Sequence, residues 1–398
     1  MIVEVVNSKV FGQKTAIPSK SYAHRIAICN FLAEKEILPN VSNFTSNDIS
    51  VTKIALEKIR KGEHTLDCGE SGSTLRFLLP LCSALGGDFT FIGHGKLMER
   101  PHDELISVLE SHGASIIKND NKIKLSGKIK SGEYLVRGDI SSQYISGLLM
   151  ALPILNGNSE IVLTTPLASA PYVEITLQVL KSFGVKIDKS QKGYIVYGNQ
   201  KYSGTLTAEG DWSNEAFFLV LGALAGQITV NGLKLDSVQG DKAIIDILKL
   251  AGASVEINDD SVTVKKNKIN NFTFDAASCP DLVPITAVLA SFANGKSVIA
   301  NVERLKIKES DRVESTIELL SAFKIKAVFD GKDLLIFGGQ PKSAEIDCYN
   351  DHRIAMSGAV MATATQGKSI IKGAEAVNKS YPIFYKDLNS VGGVAYEI

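Results

Sequence analysis

The chain has little of what marks several large classes of protein. Its five cysteines, Cys29, Cys68, Cys82, Cys279 and Cys348, are scattered over 398 residues. They form no C-x-x-C pair and have no histidine partner at zinc-ligand spacing, so no metal site is predicted, and they read as buried structural thiols suited to a reducing cytoplasm. Net charge is also missing: 43 Lys and Arg stand against 43 Asp and Glu. Without a broad field the chain is not expected to bind nucleic acid, and any affinity for anions must be local. No uninterrupted apolar run reaches the length of a membrane span. The start, MIVEVVNSKVFGQK, lacks the basic and apolar stretches of a signal peptide and reads as a strand. No low-complexity or proline-rich linker interrupts the chain, and 44% hydrophobic residues are enough for two or three ordinary cores.

What is present is a repeat. Six times a short polar turn opens into a small apolar run: IPSKSYAHRIAICNFLA from Ile17, ESGSTLRFLLPLCSALGG from Glu70, DISSQYISGLLMALPI from Asp139, DWSNEAFFLVLGALAG from Asp211, PDLVPITAVLASFANG from Pro280 and NDHRIAMSGAVMATATQG from Asn350. A regular spacing of this kind marks an internally repeated architecture. Between the runs, four segments each show an amphipathic helix followed by two short alternating strands. Three of those helices stop at a glycine, and the fourth has Phe323-Lys324 there. The predicted unit is strand, buried apolar helix, strand, amphipathic helix, hairpin. Six such units exceed one core, so two α/β (α+β) globules of three units each are predicted, with a boundary near Glu209-Gly210 and ligands held at the helix starts between them.

The turns hold the candidate chemistry, because a helix N-terminus presents free N–H groups and partial positive charge to an anion. PSKSYAHR places Lys20, Ser21 and Arg25 there. ESGSTLR has Gly72 for close approach but lacks the lysine of a Walker A loop, so nucleotide binding is not supported. MERP fixes Arg100 before a proline. DISSQY offers Ser141, Ser142 and Gln143, and ASAPYVEIT adds Ser169 and Tyr172. RLKIKESDR concentrates Lys308, Glu309 and Arg312. Asp281, Arg353 and Lys379 lie in the remaining turns. Glu309 beside Lys308 suits tuned proton transfer, and Asp281 reads either as a helix cap or as a general base. So many cations in the turns of a neutral chain call for multiply anionic ligands.

PSKSYAHR, ESGSTLR, MERP, DISSQY, SAPY, EGDWS, KESDR, YNDHRIAM and NKSYP stand in one order along the whole chain. In this the sequence resembles the 3-phosphoshikimate 1-carboxyvinyltransferase (5-enolpyruvylshikimate-3-phosphate synthase) family of enolpyruvyl transferases. The resemblance implies two lobes of three βαβαββ units with buried parallel helices and an active site in the cleft between them. Residues 19–208 would form the first lobe, and 1–18 with 209–398 a discontinuous second lobe. It implies transfer of the enolpyruvyl group of phosphoenolpyruvate to the 5-hydroxyl of shikimate 3-phosphate, a step toward aromatic amino acids, in a cytoplasmic monomer without metal or organic cofactor. Lys20, Ser21, Arg25, Ser141, Ser142, Gln143, Ser169, Tyr172, Asp281 and Lys308 would hold shikimate 3-phosphate. Lys20, Gly72, Arg100, Gln143, Arg312, Arg353 and Lys379 would hold phosphoenolpyruvate. Asp281 is the candidate base, Glu309 the candidate acid, and Lys20 could share either proton. Arg304 and Ala170 depart from the asparagine and lysine of some members. Two alternatives are a UDP-N-acetylglucosamine enolpyruvyl transferase, disfavoured by Lys20-Ser21 and by the absence of cysteine from Gly93 to Asp103, and a non-catalytic anion-binding module, which would not need Asp281 and Glu309.

Overall fold

The computed structural model describes residues 1–38 and 46–398. The chain forms two compact units, Lys20–Ala208 and Met1–Ser19 with Glu209–Ile398. Among the described residues five four-stranded sheets are built on one plan. In the Lys20–Ala208 unit, strand Thr65–Asp67 leads into helix Gly72–Leu85 and returns as the parallel strand Phe89–Ile92. Helix Asp103–Glu110 then precedes the hairpin Ala114–Asn119 and Lys122–Gly127, whose second strand pairs with Phe89–Ile92. The set Glu133–Val136, Ser142–Ala151, Ser159–Leu163, Ala170–Ser182, Ile187–Lys189 and Gly193–Val196 repeats the order. Apolar helices lie inside as their composition demands. Helix Gly72–Leu85 is buried on nearly all sides and packs on Ser142–Ala151. The approach is close enough that a Cβ on Gly147 would sit 2.5 Å from the Arg76 carbonyl oxygen.

The other unit holds three sheets, and the N-terminal segment completes two of them. Ile2–Val6 pairs antiparallel with both Lys368–Lys372 and Val394–Glu397, while Val10–Thr15 pairs parallel with Gly226–Asn231. The single first strand of the sequence reading is thus two strands serving two sheets. Among the described residues the run headed by Lys20 has no four-stranded sheet in its own unit, because the strands that precede it are used elsewhere. Lys14 fastens that segment: its Nζ lies 2.6 Å from both carboxylate oxygens of the fully buried Glu215 and 4.8 Å from the centre of the Phe218 ring.

The helix stops follow the glycine pattern with one exception. Gly113, Gly184 and Gly252 take positive φ of 109°, 74° and 84°, and Lys324 takes φ 65° at the matching point after helix Arg312–Ala322. A side chain in that region costs about 1 kcal/mol relative to glycine.

Candidate active site

The turns that head the helices share a device. Asp67, Asp275 and Asp347 each end a strand and accept, through Oδ1, the N–H two residues on, at 2.8, 2.9 and 2.6 Å. The next residue in each case, Cys68, Ala276 or Cys348, donates its N–H to the neighbouring parallel strand. These Asx turns stop the strand and swing the chain into the helix start. Among the described residues five helix starts are capped, with Ser71, Ser141, Asp211, Asp311 and Asp351 accepting from N–H groups of the first turn.

Within Lys20–Ala208, Lys20 opens its helix and places Nζ 2.7 Å from Asp48 Oδ2. Arg25 is 2% exposed. Its Nε donates to Thr176 Oγ1 at 2.7 Å, Nη1 to the Ser21 carbonyl at 2.7 Å, and Nη2 to the Tyr172 carbonyl at 2.9 Å and Ser146 Oγ at 3.2 Å. Burial lowers this guanidinium to about 10, so it stays charged near neutrality. Ser169, 6% exposed, adopts left-handed φ 55° ahead of helix Ala170–Ser182, a strained setting for a serine.

The guanidinium of Arg100 lies on the start of helix Gly72–Leu85, where a Cβ at Gly72 would be 2.8 Å from Nη1. Arg76 braces this region by donating to Gln143 Oε1 at 2.8 Å and to the Pro101 carbonyl at 3.0 Å, while Gln143 Nε2 donates to Ser73 Oγ at 2.9 Å. The structure therefore gathers Gly72, Arg100 and Gln143 through Arg76. Ser141 and Ser142 stand at the same helix start as Gln143.

In the unit containing Glu209–Ile398, Asp281 sits in the turn Pro280–Leu282, directly ahead of helix Val283–Ser291. Its carboxylate accepts from Arg312 Nη1 at 2.9 Å and Arg353 Nη2 at 3.0 Å, with Lys308 Nζ 3.5 Å away. Burial favours the protonated acid, but Arg353, Lys308 and Arg312 outweigh it and hold Asp281 well below the usual carboxylate range. Arg312, 1% exposed, also donates to Asp351 Oδ2 at 2.8 Å and to Glu309 Oε2. Lys379 Nζ donates to the Asn350 carbonyl at 2.6 Å. Lys308 is shifted down by burial, which the charge of Asp281 partly offsets. Asp281, Lys308, Glu309, Arg312 and Arg353 thus form one cluster, with Lys379 tied to the turn that precedes Arg353.

Sequence reasoning missed three partners. Asp48 lies in helix Asn47–Arg60, whose pattern is ordinary and carries no motif. Ser213 accepts from Arg353 Nη2 at 2.8 Å. Asp241, 4% exposed, is pushed up to about 6 by burial and then by the negative charge of Asp281. Only Ser213 stood inside a recognised motif, EGDWS.

Among the described residues no group of three or more His, Cys, Asp or Glu is placed to hold a metal, and no helix is long and apolar enough to cross a membrane. Two solved structures define the class of fold. The EPSP synthase of Acinetobacter baumannii matches with a TM-score of 0.79 at 22% identity over 100% of both chains. The enolpyruvyl transferase NikO of Streptomyces tendae matches with a TM-score of 0.77 at 15% identity, covering 99% of this chain and 98% of that one. The fold is that of the enolpyruvyl transferases. Residues 43–388 match the sequence model of EPSP synthase (3-phosphoshikimate 1-carboxyvinyltransferase). A protein of Clostridium novyi (strain NT) named 3-phosphoshikimate 1-carboxyvinyltransferase is 40% identical over 99% of this chain and 98% of its own length. The chain belongs to the EPSP synthase (3-phosphoshikimate 1-carboxyvinyltransferase) family.

Proposed function

We propose that the chain transfers the enolpyruvyl group of phosphoenolpyruvate to the 5-hydroxyl of shikimate 3-phosphate and releases phosphate. The observation that carries this reading is the Asp281 cluster, a carboxylate held by three cations and joined to a second carboxylate, Glu309, through Arg312. Such a set can bind anions and move protons in the same place.

The reaction adds a proton to carbon 3 of phosphoenolpyruvate and forms a bond from the 5-oxygen to carbon 2 as the 5-hydroxyl loses its proton. The tetrahedral adduct then gives up a methyl proton and phosphate. Arg312, Arg353, Lys379, Arg100, Gly72, Gln143 and Lys20 take the carboxylate and phosphate of phosphoenolpyruvate. Lys20, Ser21, Arg25, Ser141, Ser142, Gln143, Ser169, Tyr172 and Lys308 take shikimate 3-phosphate, with Asp281 at the hydroxyl and Glu309 at the methylene carbon. With its present partners Asp281 is a weak base. When an anionic substrate takes up the donors of Arg312 and Arg353, the carboxylate loses two of its cations and its proton affinity rises, so substrate binding itself prepares the base. We place the reaction in the cytoplasm and in a monomer, and the five buried free cysteines support the reducing compartment.

Phosphate release on mixing the protein with both substrates tests the reading. Release with UDP-N-acetylglucosamine in place of shikimate 3-phosphate would replace it.

A further inference from the structure

We infer that Thr52, in the motif-free helix Asn47–Arg60, is a positioning residue that couples Lys20 to the turn carrying Gly72; the role rests on the phosphoenolpyruvate assignment above. Thr52 and Thr74 are fully buried, and His24 and Ser71 are 1% exposed. Their polar atoms form one line: His24 Nδ1 to Thr52 Oγ1 at 2.9 Å, Thr52 Oγ1 to Thr74 Oγ1 at 2.6 Å, and Thr74 Oγ1 to Ser71 Oγ at 2.7 Å. Ser71 caps helix Gly72–Leu85, accepting the Thr74 N–H at 3.2 Å. Thr52 also donates to the Asp48 carbonyl at 3.1 Å, one turn back, and the Asp48 carboxylate holds Lys20.

The direction of the line follows from counting protons. Burial, and then the charges of Lys20 and Arg25, keep His24 neutral, so its ring has one N–H. Nε2 has no partner among the described residues, which leaves Nδ1–H as the tautomer that puts the ring's one proton into a bond. His24 then donates to Thr52, the one proton of Thr52 is shared between Thr74 Oγ1 and the Asp48 carbonyl, and Thr74 donates to Ser71. Thr52 is the junction: one hydroxyl meets the helix that begins at Lys20, the carbonyl of Lys20's partner, and the helix that begins at Gly72. Valine at this position keeps the shape and removes the junction, stranding the buried His24 Nδ1–H and cutting Thr74 off from the helix that begins at Lys20.

Steady-state kinetics of Thr52→Val, Thr52→Ser, Asp48→Asn and the Asp48→Asn/Thr52→Val pair test the role. Thr52→Val is expected to lower kcat/KM for phosphoenolpyruvate about tenfold, the usual scale for a stranded buried polar group. Thr52→Ser should stay within about twofold of wild type, and Thr52→Val should cost less than about twofold more once Asp48 is asparagine, as sites acting through one another do. A wild-type rate for Thr52→Val, equal damage from serine, or a full tenfold loss in the Asp48→Asn background would each overturn the inference. Amide exchange at Thr74 supplies a readout free of the reaction: it should quicken about tenfold in Thr52→Val and recover in Thr52→Ser. An inactive wild-type protein would sink the proposed reaction while leaving this exchange comparison to decide on the line itself. Thr74→Ala, which cuts the same line one residue on, serves if Thr52→Val does not fold: faster exchange at residue 74 supports the line, and unchanged exchange refutes it.

Discussion

A single methyl group at Gly72 is a sharp test of the phosphoenolpyruvate assignment. The added Cβ would stand 2.8 Å from Arg100 Nη1, 3.1 Å from Cζ and 3.2 Å from Nη2. Ordinary contact begins near 3.5 Å, so the guanidinium must withdraw by about 0.7 Å. The backbone behind it cannot follow freely, since Pro101 limits its dihedrals and the Pro101 carbonyl is held by Arg76 at 3.0 Å and by Tyr144 Oη at 2.6 Å. The withdrawal therefore falls on the tip that would meet the anion. Loss of one hydrogen bond to a charged group is worth about 1.5–3 kcal/mol, or roughly ten- to a hundredfold in affinity. Gly72→Ala should raise KM for phosphoenolpyruvate by that factor and leave KM for shikimate 3-phosphate near wild type. Thermal unfolding should not drop, because alanine suits a helix better than glycine. A KM for phosphoenolpyruvate within about twofold of wild type would refute the placement of Arg100.

Asp281→Asn and Glu309→Gln should each lower turnover by about a hundredfold or more with modest effects on KM, and near-normal turnover in either removes that residue from proton transfer. Lys324→Gly should stabilise the protein by about 0.5–1 kcal/mol in urea unfolding by relieving the side chain at φ 65°; a loss of stability would show that the lysine makes contacts worth more than the strain. Asp241 titrates at about 6 in the fold against an ordinary 3.8. The folded chain holds that proton more tightly, so this group's contribution is full below about pH 4 and declines as pH rises through 6, by at most on the order of 2–3 kcal/mol. Asp281, shifted the other way, contributes stability above its free value and loses it as the solution is acidified below about pH 4. Asp241→Asn should flatten the decline between pH 4 and 6 in unfolding measurements, and an unchanged slope would remove Asp241 as its source.

The parts of the fold that could be read in advance are those that a repeat writes more than once. Apolar helices headed by polar turns announce buried helices, and glycine before a hairpin announces a helix stop. The stop at Lys324 lacked its glycine yet keeps the same left-handed turn. There, packing of the amphipathic helix and its hairpin overrides the local preference. The pairing of the N-terminal strands was hidden for a different reason. Strand pairing is a long-range choice, and nothing local in VFGQKT says that it will lie beside Gly226–Asn231. Nothing local marks Lys14 as a buried cation, although Glu215, two hundred residues on, takes it inside.

The candidate site divides along the same line. Residues that head helices were visible because the turns are short and polar. Asp48, Thr52 and Asp241 were not, since each lies within or beside a segment whose pattern already has a sufficient structural reading. The Asx turns at Asp67, Asp275 and Asp347 join the two levels. An aspartate that ends a strand does purely conformational work, yet by fixing where the next helix begins it also fixes where the helix N-terminus can present donors. The strand ends that look least chemical in the sequence thus set the positions of Gly72, Asp281 and Arg353. A fold made by repeating one turn acquires repeated anion-facing helix starts before any catalytic side chain is chosen, and the differences among Gly72, Asp281 and Arg353 are what turn equivalent positions into separate roles.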